Sequence, residues 1–198
     1  MPKIDSNVLL HCNPVEKILP TGKAFPITNP NAHLACFTIT PPKPQRNPNV
    51  VVTNQFGSAT LAPGQPNLLC VPSWKSLTGT PKKQPTTPPG LNHFTCYSVK
   101  VAKGAYTPPK VMLKDEFTKK PVTATVNRTP ADLCLPTEKI VGKNTFKIIN
   151  PTMHLLCFPV TKTPVVPTVW DENQFGTSKL TIRATHWLCV PSTKRVIK

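Results

Sequence analysis

Apolar and polar positions alternate in two segments of the chain, "VTATV" at 122–126 and "KLTIR" at 179–183. Alternate residues of a strand share one face, so this pattern predicts half-buried strands. The runs "NVVVTNQF" at 49–56 and "HLLCFPV" at 154–160 are rich in β-branched and aromatic residues, which is typical of strands packed between sheets. Because turn residues separate such segments at short intervals, the sequence predicts an all-β fold of antiparallel β-sandwich or barrel-like modules. The 26 Pro residues disfavour long helices.

Three landmarks recur in the same order along the chain. The first is His-x-x-Cys followed by an aromatic residue, and its histidines, His33, His93 and His154, are about 60 residues apart. The second is a Phe preceded by Asn-Gln or Asp-Glu. The third is Cys-x-Pro-x-x-Lys, which occurs as "CNPVEK" at 12–17, "CVPSWK" at 70–75, "CLPTEK" at 134–139 and "CVPSTK" at 189–194. The third landmark is therefore the end of a repeat, and we expect about four short strands in each repeat.

The repeats divide the chain into two modules. Residues 76–90 are rich in Pro, Thr and Lys and predict an extended linker between an N-terminal module at 1–75 and a C-terminal module at 91–198. Complete repeats are predicted at 29–75, 91–139 and 150–194, and a partial repeat at 1–17. The partial repeat has no opening strands of its own. Either the chain starts late within a longer repeat protein, or a neighbouring subunit supplies these strands, for which the short basic tail at 193–198 is a candidate donor.

Seven cysteines, none in a Cys-x-x-Cys pair, favour disulfides over zinc ribbons or thioredoxin-type motifs. We therefore predict an exported protein, secreted or at the cell surface. The first residues, "MPKIDSNVLLHC", lack the long apolar stretch of a signal peptide, so the export signal is not part of this sequence.

Two disulfide schemes fit the cysteine spacing. Pairing within repeats joins Cys36 to Cys70, Cys96 to Cys134 and Cys157 to Cys189, and leaves Cys12 for a bond to another chain. Pairing between neighbours joins Cys12 to Cys36, Cys70 to Cys96 and Cys134 to Cys157, and leaves Cys189 over. We favour the first scheme because the second places a bond across the predicted linker. Each bond within a repeat closes a loop long enough to contribute about 3–4 kcal/mol on the chain-entropy model.

The formal net charge is +16, from 24 Lys and Arg against 8 Asp and Glu. Such a charge favours acidic partners, and an acidic polysaccharide is one candidate; a role in solubility alone is the alternative. Lys dominates over Arg and is spread along the chain, which is not the pattern of a specific nucleic-acid reader. No apolar run approaches the ~18 residues of a membrane span.

The residues that could carry chemistry favour structural roles. We expect the three histidines of the first landmark to be hydrogen-bonded near strand starts rather than to bind metal, because residues three apart on a strand face opposite sides. The acidic pairs Asp115–Glu116 and Asp171–Glu172 are predicted to lie at equivalent, solvated edge positions, and the closing Lys of each third landmark to lie at a surface edge. No catalytic motif or cofactor motif is present, so we predict a protein that is not an enzyme and needs no cofactor.

Taken in order, His-x-x-Cys-(Phe/Tyr), Asn-Gln-Phe-Gly and Leu-Cys-Val-Pro-Ser-x-Lys resemble a repeat of exported proteins in deltaproteobacteria and myxobacteria, a domain of unknown function. The resemblance covers nearly the whole chain outside 76–90. It implies bacterial export and tandem extracellular β modules, and it implies no catalytic residues. The repeat at 91–139 departs from the pattern, with "KDEFT" and "LCLPTEK" in place of the usual sequences.

Repetition without catalytic motifs leads to one functional hypothesis, a secreted structural or adhesive protein of a cell-surface or filament assembly, whose partners are copies of itself or other cell-surface proteins. The alternative, based on the charge, is a binding module for acidic glycans or other polyanions.

Overall fold

The structure is a computed structural model that describes residues 2–41, 43–80, 88–118, 120–161 and 167–197. Within these ranges the chain forms strands and no helix, so no helix is present there that could cross a membrane. The strands are β1 (Lys3–Cys12), β2 (Glu16–Ile18), β3 (Ala24–Phe25), β4 (His33–Thr40), β5 (Val50–Asn54), β6 (Gly57–Ser76), β7 (His93–Tyr106), β8 (Val111–Lys114), β9 (Val122–Ala124), β10 (Asp132–Thr137), β11 (Lys139–Val141), β12 (Asn144–Phe146), β13 (His154–Pro159), β14 (Thr168–Asn173), β15 (Gly176–Thr181) and β16 (Trp187–Val196).

Six strands close into a ring in the order β5, β6, β7, β10, β13 and β16, with β16 pairing back onto β5. Every pairing in the ring is antiparallel, and the predicted all-β, antiparallel fold is confirmed. Alternate residues of these strands point into the ring and form the main core, which includes Val52, Leu61, Leu133, Leu156 and Phe158. The ring thus encloses an apolar interior, and the intervening residues of its strands face outward.

The 20-residue strand β6 is long enough to extend beyond the ring. Its first part pairs with β5, and its second part pairs with β4, which in turn pairs with β1. One face of this extension buries Ala35, Phe37, Leu69 and Val71 in a second core. Among the described residues, β1 pairs with β4 alone, so one edge of β1 is unpaired.

Two smaller sheets lie outside the main one. Strands β3, β2, β8 and β9 form a four-stranded sheet, and β11 and β12 form a hairpin whose turn contains Gly142 at a φ of 59°. Gly at such a position accommodates a left-handed turn without steric cost. The β2–β3 and β11–β12 pairs begin at the ends of the third landmarks at 12–17 and 134–139, and they are the same element after the partial repeat and after the repeat at 91–139.

Strands of the two predicted modules pair with each other in four places, one of which is the pairing of β6 with β14. In the other three, β6 pairs with β7, β5 pairs with β16 and β2 pairs with β8. The module boundary at 76–90 stays a prediction, but the two halves share one sheet rather than each forming a sheet of its own. Residues 81–87 of the predicted linker lie outside the described residues.

Candidate functional site

Three disulfides cross the main sheet, and each joins residues that lie directly opposite each other on neighbouring strands. Cys36 on β4 is bonded to Cys70 on β6, Cys96 on β7 to Cys134 on β10, and Cys157 on β13 to Cys189 on β16, each with a Cα–Cα distance of 3.9 Å. In this structure the bonds therefore lie within repeats. The sequence argument disfavoured a Cys70–Cys96 bond because such a bond would cross the predicted linker. That argument is incomplete, because β6 and β7, on either side of the linker, are paired strands.

The disulfides also contact one another. The Sγ atoms of Cys70 and Cys96 are 3.9 Å apart, and those of Cys134 and Cys157 are 4.0 Å apart. At the open edge, the Cys12 Sγ lies 3.8 Å from that of Cys36. The seven sulfur atoms form one continuous row across the neighbouring strands β1, β4, β6, β7, β10, β13 and β16, which we name the sulfur ladder.

The sulfur ladder forms one wall of a cavity of about 510 Å³. All seven cysteines line it, together with apolar side chains that include Leu34, Phe94, Leu155 and Trp187. Residues 113–118, 122–124 and 181–186 also contribute to its lining, with the charged or titratable side chains of Asp115, Arg183 and His186. On β10, β13 and β16 the cysteines lie on the face opposite the main core, because their neighbours in sequence, such as Leu133, Phe158 and Val190, belong to that core.

Cys12 is the one free cysteine of the chain, and it is half-buried at the end of β1. Burial in apolar surroundings, and secondly the negative charge of Asp171, raise the pKa of its thiol to about 11. The thiol is therefore protonated and weakly nucleophilic at neutral pH. The sequence predicts that Cys12 is available to a partner chain; the structure places its Sγ in the cavity, in contact with Cys36.

A buried polar cluster lies next to Cys12. His11 Nδ1 is 3.0 Å from Asp171 Oδ2, both side chains are almost fully buried, and Asn173 Nδ2 donates to Asp171 Oδ1 at 2.7 Å. The His11 ring stacks on His33, with centroids 5.8 Å apart. The prediction that Asp171 is a solvated edge charge is wrong, because the contact with His11 connects β1 to β14 and buries the carboxylate. His11 is not part of a repeated landmark, so no sequence pattern pointed to this pair.

The two acidic pairs are not equivalent either. Asp115 Oδ1 accepts the backbone N–H of Phe117 at 2.9 Å, as Asn54 does for Phe56 and Asn173 for Phe175, each at 2.8 Å. Asp115 therefore corresponds to the Asn of the second landmark and caps the same turn. Glu116 is exposed, as predicted, and is also ion-paired with the largely buried Lys75.

The closing Lys of the third landmark contacts the Phe of the second landmark in the next repeat. The distance from Nζ to ring centroid is 5.6 Å for Lys17 and Phe56, 4.8 Å for Lys75 and Phe117, and 4.3 Å for Lys139 and Phe175. Lys17 is 6% exposed and Lys139 is 9% exposed, and burial lowers the pKa of each to about 8. The prediction of surface edge lysines is wrong for these residues, which hold successive repeats in register by cation–π contacts.

The three histidines of the first landmark occupy strand starts, each in different surroundings. His33 has no hydrogen-bond partner at Nδ1, His93 Nε2 lies 3.0 Å from Gln174 Nε2, and His154 Nδ1 lies 3.0 Å from the Thr152 carbonyl oxygen. Burial lowers the pKa of His33 to about 3 and of His93 to about 4. Within the described ranges, no group of three or more His, Cys, Asp or Glu side chains is placed to hold a metal ion.

Comparison with known proteins identifies one family. Residues 13–191 match a family described as a repeat of unknown function, DUF7450. The chain belongs to this family. No curated protein and no solved structure shows a significant match. The family assignment confirms the prediction of a repeat of unknown function. The three disulfides are typical of proteins from oxidising compartments.

Proposed function

We propose that this chain is a non-enzymatic, secreted structural or adhesive repeat protein that acts in a cell-surface or filament assembly. The observation that carries the proposal is the unpaired edge of β1. Along this edge the backbone N–H and C=O groups have no strand partner within the described ranges, and Leu9 is 59% exposed. Such an edge is a template for a strand of another chain.

The position of β1 in the repeat supports strand addition. Each other strand that carries the Cys of a third landmark lies between two neighbours: β6 between β4 and β7, β10 between β7 and β13, and β16 between β13 and β5. β1 carries Cys12 and has the same place in its repeat, but it has β4 alone beside it. A strand from a second copy of this chain would complete the arrangement that the other repeats share.

The contacts between repeats support assembly independently. Lys17, Lys75 and Lys139 each contact a Phe of the following repeat, whereas Lys194, the corresponding residue at 189–194, has no ring contact among the described residues. A following repeat from another molecule would supply that ring. Head-to-tail contacts of this kind extend into filaments when the rotation between subunits does not close a ring.

The test is the oligomeric state of three proteins: the native chain, Leu9→Lys and Ile149→Lys. Ile149 is a matched control because it is 58% exposed but lies in a bend outside any strand. We expect concentration-dependent oligomers, by sedimentation velocity and negative-stain electron microscopy, for the native chain and for Ile149→Lys. Leu9→Lys adds a charge to the edge and should shift the chain to monomer. Three monomeric proteins at high concentration would contradict the proposal.

A second function, binding of acidic glycans or other polyanions, is favoured by the charge of +16 and by Lys100 and Lys103, which are exposed along β7. Burial of Lys17, Lys75 and Lys139 removes those three charges from any such surface. Retention on a heparin column that falls steeply with salt would favour the binding module, and elution at moderate salt would count against it.

A further inference from the structure

We propose that the sulfur ladder is a thiol–disulfide exchange relay, in which one free thiol moves between Cys12 at the edge of the sheet and Cys189 at the opposite end. The proposal rests on the spacing of the sulfur atoms. Each gap between one disulfide and the next, and between Cys12 and the first, is 3.8 to 4.0 Å, which is van der Waals contact between sulfurs. Each step therefore needs a sulfur to move by only about 2 Å to reach bonding distance.

The steps balance without an oxidant or a reductant. The Cys12 thiolate attacks the Cys36 sulfur, the Cys36–Cys70 bond breaks, and Cys70 leaves with the electron pair. The Cys70 thiolate attacks Cys96 and releases Cys134, and the Cys134 thiolate attacks Cys157 and releases Cys189. Cys189 takes up a proton in place of the one that Cys12 lost. Three disulfides are present before and after, and the free thiol has crossed the sheet.

Exposure distinguishes the ends of the ladder from its interior. Cys36, Cys70, Cys96, Cys134 and Cys157 are all buried, whereas Cys12 and Cys189 are half-buried. A reagent, or a disulfide on another protein, can therefore meet the free thiol at either end but not between them. Cys12 carries the free thiol before exchange, and Cys189 carries it after exchange. The relay therefore makes Cys189 a second site for covalent modification.

The strand register decides which end holds the thiol at rest. The bonded pairs are directly opposite each other, whereas the exchanged pairs are diagonal: Cys12 is opposite Leu34, and Cys36 is opposite Leu10. Cys70 with Cys96, and Cys134 with Cys157, have the same two-residue offset. Diagonal positions are farther apart than opposite ones and need a backbone shift to be bridged. The form with the three exchanged disulfides is thus a minor state, and it accumulates when the free Cys189 thiol is alkylated.

Ionisation of Cys12 sets the rate. Because the pKa of this thiol is about 11, the thiolate fraction, and with it the rate of exchange, should rise about tenfold per pH unit between pH 7 and 10. The negative charge of Asp171 opposes ionisation. The charged or titratable groups around Cys12 and its cavity are His11 on β1, His33 on β4, Lys75 on β6, Asp171 on β14, and Asp115, Arg183 and His186, which also line the cavity.

The experiment is peptide mapping without reduction after incubation of the folded chain with N-ethylmaleimide at pH 7, 8 and 9. We expect alkylated Cys189 together with the Cys12–Cys36, Cys70–Cys96 and Cys134–Cys157 links, at a rate that is independent of protein concentration. In Cys12→Ser, which lacks the attacking thiol, these links should be absent. Alkylation of Cys12 alone, or exchange that stops at free Cys70, would overturn the relay. Equal exchange in Cys12→Ser would also overturn it.

Cys189→Ser tests the relay from the other end and does not depend on how Cys12→Ser folds. This change frees Cys157, whose thiolate should attack Cys134 and lead to Cys134–Cys157 and Cys70–Cys96 links, with Cys12 and Cys36 as thiols. Retention of the Cys36–Cys70 and Cys96–Cys134 bonds alone at pH 9 would contradict the proposal.

Discussion

At the scale of single residues, Lys139 shows two opposing effects. Its Nζ is buried without a hydrogen-bond acceptor, which disfavours the charged form and lowers the pKa to about 8. The face of Phe175, 4.3 Å away, favours the charged form by roughly 2 kcal/mol in a desolvated site. In the unfolded chain the Lys139 ammonium keeps its proton up to about pH 10.5, whereas in the folded chain it loses the proton above about pH 8. Burial of Lys139 therefore lowers the free energy of unfolding fully below pH 8. This penalty decreases as the pH rises from 8 to 10.5.

We predict that a double-mutant cycle on Lys139 and Phe175 will give a favourable coupling of about 1–2 kcal/mol at pH 7. Phe175→Leu should reduce the free energy of unfolding more when Lys139 is present than in the Lys139→Met background, because the ring is what compensates the buried charge. The cycle subtracts the edge contact of Phe175 with Phe37, which does not involve Lys139. The measurement is denaturant unfolding of the four proteins, and additive effects would contradict the cation–π assignment.

The sequence revealed that these Lys residues recur, but it did not reveal their partners. Lys139 begins β11 and Phe175 lies in the turn between β14 and β15 of a different repeat, and only the folded topology brings them together. His11 and Asp171 are separated even further along the chain. Landmarks that repeat in sequence identify which residues share a role, whereas contacts between repeats depend on long-range strand pairing.

At the scale of elements, the alternating segments were predicted well and the longest strand was not. β9 and β15 fall within or overlap the two alternating segments at 122–126 and 179–183. β6 contains Pro63 and Pro66, which cannot donate ladder hydrogen bonds and which indicate a break in the strand. The structure keeps the strand continuous and places register shifts in the β6–β7 pairing on either side of Pro66. The Pro residues thus indicate where the strand pairing is irregular, but they do not reveal that β6 continues through them.

Gly104 on β7 is a second irregular point of the β6–β7 pairing, and it gives a prediction at this scale. Its φ is +84°, and a Cβ would lie 3.1 Å from the Ser58 carbonyl oxygen and 3.3 Å from the Ala59 Cα. Gly104→Ala should therefore reduce the free energy of unfolding by about 2–3 kcal/mol, through backbone strain and steric overlap together.

Gly142→Ala is the matched control for this change, because Gly142 also has a positive φ but has open space where the Cβ would lie. It should cost about 1 kcal/mol from backbone strain alone. Both values come from denaturant unfolding. Equal losses for the two variants would show that the close approach of β6 to Gly104 contributes nothing.

At the scale of the whole molecule, the two halves of the chain contribute strands to one closed ring. The ring closes only because strands from both halves contribute, β5 and β6 from one and β7, β10, β13 and β16 from the other. The sequence predicted a boundary because the composition changes at 76–90, and composition reports on the local chain rather than on what its flanking strands pair with. Closure of the ring removes the free edges that each half would otherwise expose.

The shared sheet predicts how the chain behaves when it is cut between its halves. No disulfide of the structure connects residues before 76 to residues after 90, whereas β6–β7, β5–β16 and β2–β8 pairing all do. A protease site inserted after Thr80 should therefore yield two fragments that co-elute in native size-exclusion chromatography and separate on a denaturing gel without reduction. Fragments that separate in native buffer would show that the halves are independent modules.

The same cut chain reports on the sulfur ladder. A Cys70–Cys96 bond is the one exchange product that would join the two fragments covalently. Cut chain kept at pH 9 with N-ethylmaleimide should therefore gain a non-reduced band of full length, and cut Cys12→Ser should not. This comparison distinguishes the shared sheet from the relay. The shared sheet predicts that the fragments of the cut native chain and of cut Cys12→Ser co-elute at any pH, because the strand pairing does not depend on Cys12. The relay alone predicts the covalent band, because only the displaced Cys70 thiolate can attack Cys96 across the cut.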